Sequence, residues 1–204
     1  MAILPIKGQS SCCPSKMKSP SKIRFGIIGC SRIAKKAMLP AINYSKLAKI
    51  GMIGSRSKEK ALDYCKKFGC SSYGNYTDVL SNDEIDAVYI SLPVGLHEEW
   101  TIKAAESGKH VLCEKPMTID LKDAERIVKA SRKARGFMMP AHCMRFWPEW
   151  VWLKEAVQSK RFGKIHSAVF RRFASTPKWT AKNWILNAAL SGSASSGSWR
   201  SSLI

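Results

Sequence analysis

Acidic residues are missing from both ends of this chain. Residues 1–36 hold eight lysines and arginines and no aspartate or glutamate, while residues 151–204 hold nine against Glu155 alone. The stretch between, 37–150, carries 17 basic and 14 acidic residues and is near balance, so most of the formal net charge of +19 belongs to the termini. Basic ends attract nucleic acid or an anionic surface. The chain lacks a helix-turn-helix signal, zinc-finger spacing and an RNA-recognition aromatic motif, however, so nucleic acid is disfavoured as a partner. No apolar run approaches the roughly 20 residues that a bilayer crossing needs, and no membrane association is expected.

Cysteine is present without a framework. None of the seven cysteines forms a C-x-x-C pair, and their number is odd. That pattern excludes a disulfide scaffold or zinc site and reads as a reduced, cytoplasmic protein. Residues 1–20 have no long apolar core and no arginine. They read as a disordered basic extension rather than a secretory signal.

From residue 21 onward the pattern is regular. KIRFGII (22–28), AKIGMIG (48–54), DAVYISLP (86–93), KHVLCEKP (109–116) and FMMPAH (137–142) are short apolar runs at strand length. Helical periodicity lies between them. Over 32–44 it places Ile33, Ala34, Ala37, Met38 and Ala41 on one face, with Pro40 expected to end or kink the helix. Over 57–69 it turns Ala61, Leu62, Cys65 and Phe68 inward, and a further helix runs over 95–107 to Gly108. Asp120 caps another helix with Leu121, Ala124, Ile127 and Val128 as its buried stripe. Strands alternating with helices over 120 residues predict an α/β fold with a doubly wound parallel sheet.

The first strand runs into FGIIGCSRIAKKA (25–37), a glycine turn that lacks its usual second glycine. Ser31 stands there. It is small, and its hydroxyl can donate to a phosphate oxygen or cap the following helix. The second strand lacks the carboxylate that commonly accepts from a ribose in an NAD site. Ser55 and Arg56 stand there instead, with Lys60 behind. An arginine pairs with a 2′-phosphate that a carboxylate would repel, so NADP(H) is favoured over NAD(H) as cofactor.

These segments, with AVYISLPVGLHEEWTIKAAESGKHVLCEKP and the MRFWP that follows, resemble the glucose–fructose oxidoreductase, inositol dehydrogenase and rhizopine-catabolism family (Gfo/Idh/MocA) over roughly 22–192. The resemblance implies a Rossmann domain at 21–142, the start of a second α/β domain for substrate and oligomerisation at 143–192, and hydride transfer at a sugar, polyol or diol carbon. Homo-oligomers are common among such relatives. It also assigns expected roles. Gly29, Cys30, Ser31, Arg32, Ile33, Ser55, Arg56, Lys60, Leu92, Pro93, His97, Glu114, Lys115 and Arg145 would face the cofactor, and Lys115 would be catalytic, its ammonium stabilising alkoxide character at the reacting oxygen. Pro116 would be cis. His97 reads as structural or cofactor-positioning. His142 and Cys143 read as packing rather than metal ligands, and Trp147, Trp150 and Trp152 as domain-interface core.

After a strand expected over 165–173, relatives continue into an Asp-x-x-x-His motif that this chain lacks before Ile204. Residues 193–204 therefore read as a divergent tail, and the chain as C-terminally truncated with impaired turnover. A non-catalytic NADP(H)-binding regulatory module, or nucleic-acid binding through the basic ends, stand as the alternative readings.

Overall fold

The computed structural model describes residues 22–171. Six strands, β1 (Ile23–Ile28), β2 (Ala48–Gly54), β3 (Tyr73–Gly74), β4 (Ala87–Ile90), β5 (His110–Cys113) and β6 (Met138–Pro140), form one parallel sheet in the order β3-β2-β1-β4-β5-β6. Every neighbouring pair runs parallel. Because both faces of such a sheet are covered, successive residues of a central strand go to opposite cores. Ile28, Met52, Val88 and Ile90 enter one cluster with Val79, Leu80 and Ala104. Ile27, Ile53 and Tyr89 enter the other with Leu39, Ile42, Ala61 and Cys65.

The covering helices are α1 (Leu39–Tyr44), α2 (Lys58–Phe68), α3 (Tyr76–Ser81), α4 (His97–Glu106) and α5 (Leu121–Lys133), with α6 (Pro148–Gln158) after the last strand. The expected strands are present; β2 fills its apolar run and the other four are shorter than the runs that announced them. The run 86–93 gives a strand only to Ile90, because Leu92 and Pro93 already leave the sheet for a turn of 3₁₀ helix at Val94–Leu96.

The first helix departs from its expected face. Ahead of α1 the chain makes a π turn at Ala34–Met38, where the Leu39 amide donates to the Ala34 carbonyl five residues back. Pro40 then occupies the opening turn of α1, where a missing amide is tolerated. The wider turn inserts one residue into the helical repeat and rotates everything beyond it. Ala34, Leu39 and Ile42 are therefore buried, while Ala37, Ala41 and Ile33 face out. In α5 only Ile127 of the expected stripe is buried; Leu121 is 72% and Val128 44% exposed.

Three elements have no counterpart in the sequence reading. β3 and α3 follow Gly69, and α3 opens on a capping box in which Asn75 and Asp78 exchange side chain and backbone bonds at 2.9 and 2.8 Å. The third is α6, which holds its own backbone but buries only Ala156. Residues 163–171 carry no strand, so the part of the expected strand 165–173 that is described is not formed. With no neighbouring strand to receive them, its amides and carbonyls gain nothing from extension. Trp147 and Trp152 are exposed and Trp150 is half-buried, tilted against Phe170, so the three tryptophans are not core within the described residues. The expected extension 1–20, the rest of 143–192 beyond Arg171 and the tail 193–204 lie outside the described residues.

Candidate active site at the carboxyl edge of the sheet

Strand order reverses between β1 and β4, and the crevice beyond their carboxyl ends is where ligands of open α/β sheets sit. The β1 turn is fastened from three sides. Gly29 has φ +105°, a conformation that glycine adopts readily, and a Cβ there would lie 2.8 Å from Leu92 Cδ2. Its amide donates to the Gly54 carbonyl at 3.0 Å, and its carbonyl accepts from the buried Ser91 hydroxyl at 3.0 Å. From α2, the Tyr64 hydroxyl points at the Cys30 and Ser31 carbonyls at 3.3 and 3.2 Å. Burial pushes the Tyr64 phenol up, keeping it a donor. Ser31 itself caps the helix: its Oγ accepts from the Ala34 amide at 3.1 Å. The serine thus fills one of the two roles its chemistry allowed.

At the end of β2, Ser55 is buried, and its Oγ accepts from the Ser57 amide at 3.2 Å. It also hydrogen-bonds the Cys30 thiol, which burial pushes up. Arg56 follows, exposed and near Tyr76, whose phenol burial pushes up while the guanidinium pulls against that rise. Tyr76 stands edge-on to Trp100 with ring centroids 4.9 Å apart, so a packed aromatic pair lies beside the arginine. Lys60 lies in the first turn of α2, its amide held by the Ser57 cap. The second strand ends without a carboxylate, as read from the sequence.

The ends of β4 and β5 are joined by one side chain. His97 is buried, with Nε2 2.8 Å from the Leu92 carbonyl and Nδ1 2.9 Å from the Pro116 carbonyl. It ties the Leu92–Pro93 turn to the Glu114–Lys115–Pro116 loop. Two carbonyls favour a charged ring and burial a neutral one; burial prevails, and the His97 pKa lies below its ordinary value. The Lys115–Pro116 peptide is cis. Glu114 is held by the Tyr89 hydroxyl at 2.7 Å and by the Lys115 amide at 3.2 Å. Burial, helped by the carboxylate beside it, pushes the Tyr89 phenol up. Lys115, between Glu114 and Pro116 in this loop, is exposed.

The structure thus brings Gly29, Cys30, Ser31, Ser55 and Leu92 into contact and links Leu92 through His97 to the Glu114 loop. Arg32 and Ile33 are exposed on the first turn of the helix, and Arg145 lies beyond β6 in the turn Cys143–Phe146. Tyr64, Ser91, Tyr89 and Tyr76 hold these residues and were missed. Buried hydroxyls leave no periodic trace, so only the fold reveals them. Among the described residues no group of three metal-ligating side chains is present, and no helix is long and apolar enough to cross a membrane.

A glycine turn leading into a helix at the switch point of a parallel sheet, with a cation and no carboxylate after the second strand, is an arrangement that suits a dinucleotide. Fold and crevice together define a dinucleotide-binding Rossmann protein. The chain belongs to the GFO_IDH_MocA oxidoreductase family, whose NAD-binding Rossmann fold matches residues 23–142. It is similar to a dTDP-3,4-didehydro-2,6-dideoxy-alpha-D-glucose 3-reductase of Actinomadura kijaniata, 39% identical over 63% of this chain and 39% of that protein. It is also similar to an NADP(+) D-xylose 1-dehydrogenase of Haloferax volcanii, 38% identical over 61% of this chain and 38% of the relative. A solved 3-ketoreductase from Actinomadura kijaniata in complex with NADP superposes with a TM-score of 0.65, at 34% identity over 71% of this chain and 46% of that one. The chain spans less than half the length of these relatives.

Proposed function

We propose that this chain binds NADP(H) along the carboxyl edge of its sheet and contributes the lysine of a site that reduces a sugar-type carbonyl or oxidises the matching hydroxyl. The observation that carries the reading is Arg56, exposed where a carboxylate would select NAD(H) and near Tyr76. In this reading the Gly29–Ile33 turn takes the pyrophosphate, with Cys30 and Arg32 beside it. Ser55, Arg56 and Lys60 frame the 2′-phosphate, to which the guanidinium offers paired donors. Leu92 and Pro93 give an apolar floor, held in place by His97, and Arg145 lies near the same edge. NADPH supplies a hydride when bound. Lys115 hydrogen-bonds the substrate oxygen and gives it a proton as negative charge develops there, with Glu114 fixing the loop that carries it. The relatives named as a 3-reductase and a xylose dehydrogenase support a sugar as the substrate class.

The test is a fluorescence titration of the full chain with NADPH and NADH, repeated on Arg56→Ala. NADPH affinity is expected to fall about 10- to 100-fold, the effect of a lost charge-assisted hydrogen bond, with little change for NADH. Equal losses for both cofactors, or none, would overturn the assignment of Arg56.

A further inference from the structure

The end of α2 carries two thiols that the dinucleotide site does not use. Gly69 leaves the helix at φ 71°, ψ 35°, and the Cys70 amide then turns back to the Cys65 carbonyl at 3.0 Å. This is a Schellman closure, in which the residue four before the glycine and the residue after it meet side chain to side chain. The meeting pair is usually apolar; here both members are cysteine. Each thiol lies within electrostatic reach of the other. Both also reach the Ser72 carbonyl, each at 3.2 Å. A disulfide requires neighbouring backbones and converging side chains. The backbone bond between the two residues supplies the first and the shared carbonyl the second.

We propose that Cys65 and Cys70 form a redox pair that closes to an intramolecular disulfide by exchange with glutathione disulfide or a like disulfide oxidant. Cys65 is 2% exposed and Cys70 half-buried, so the oxidant meets Cys70 first. The Cys70 thiolate attacks one glutathione sulfur and expels a glutathione thiolate. Cys65 then gives its proton to solvent and displaces the second glutathione from the mixed disulfide. Two protein thiols and one glutathione disulfide become one protein disulfide and two glutathiones. Burial, with Cys70 alongside, pushes the Cys65 thiol up to about 12, which makes the second step the slow one. Convergence of the two thiols on the Ser72 carbonyl offsets that by making the step local. The Ser72 carbonyl loses two S–H donors in the process but keeps the Ile53 amide at 3.1 Å, so it is not orphaned. The bond would pin the end of α2 to the chain entering β3, an edge strand of two residues. In a reducing compartment such a pair serves as a switch or sensor rather than a permanent staple.

Trypsin makes the proposal testable on the wild-type chain. Cleavage after Lys66 and Lys67 separates the two cysteines into peptides 61–66 and 68–103. The full chain is equilibrated in glutathione buffers of increasing oxidation, alkylated, denatured, digested and analysed by mass spectrometry. Peptides 61–66 and 68–103 are expected to emerge linked, at more than half of the recovered material, before Cys30 or Cys143 is modified to that extent. Cys70→Ser is expected to cut modification of Cys65 at least tenfold, because the buried thiol then has no local partner. Recovery of Cys70 as a stable glutathione adduct, its linkage to some other cysteine, or free Cys65 and Cys70 when Cys143 is already oxidised would overturn the proposal. The native digest gives a second reading: oxidation should slow cleavage after Lys66 and Lys67 at least tenfold, and an unchanged rate would show that no bond pins this end.

Discussion

Aromatic and branched residues are plentiful on both sides of residue 142, yet they end up in opposite environments. Before it, Ile27, Ile28, Ile53, Val88, Tyr89 and Ile90 are at most 1% exposed. After it, Phe146, Trp152, Phe162, Val169 and Phe170 are between 52% and 75% exposed, although the residues are as apolar. The first set stands on strands whose amides and carbonyls are paired on both sides, so burying their side chains strands no polar group. The second set stands on a helix and an extended segment that meet no such surface among the described residues. Apolarity drives burial only where the backbone is already satisfied.

That contrast can be broken most directly by removing side chains on either side of it. Ile90→Ala deletes a fully buried residue between two paired strands. It is expected to cost about 2–5 kcal/mol in urea unfolding, the range for large-to-small changes in a core. A cost below 1 kcal/mol would mean that the sheet is not the packed body described. A smaller effect is expected at His97, which joins the two loops of the crevice. Its folded pKa is lowered, so the folded chain binds fewer protons than the unfolded one as pH falls below 6.5, the ordinary histidine value. Stability contributed by the neutral ring is present above that value and declines as pH falls toward the lowered one. His97→Gln should flatten the slope of stability against pH in that window; an unchanged slope would assign it to other groups. Smallest of all is Trp152→Ala, expected within about 0.5 kcal/mol of wild type because 52% of the residue is already in water. A loss comparable to that of Ile90→Ala would show that α6 packs against something more than its own segment.

Most of the sheet was legible because its strands fall in short apolar runs that alternate with helical periodicity. The glycine turn, Arg56 and the Glu114–Lys115–Pro116 loop were legible because unusual residue types stand at strand ends. What escaped had no periodic signature. β3 is two residues long, though Asn75 with Asp78 three residues on announces α3 to a reader who looks for caps. The buried face of the first helix escaped because a π turn breaks the period on which such faces are read. Tyr64, Ser91 and Tyr89 act through single hydroxyls across 25 to 62 residues of chain, a distance over which no spacing rule operates.

The Ser91 hydroxyl that holds Gly29 comes from 62 residues further along the chain. During synthesis the phosphate turn therefore emerges long before its clamp. At the usual 5–20 residues per second the wait is about 3–12 s, longer than most local structure takes to form. In that interval β1 and β2 can pair, but the turn between them lacks one wall. Competence to hold a nucleotide would thus arrive late and abruptly, with the second half of the sheet, rather than growing as the chain lengthens.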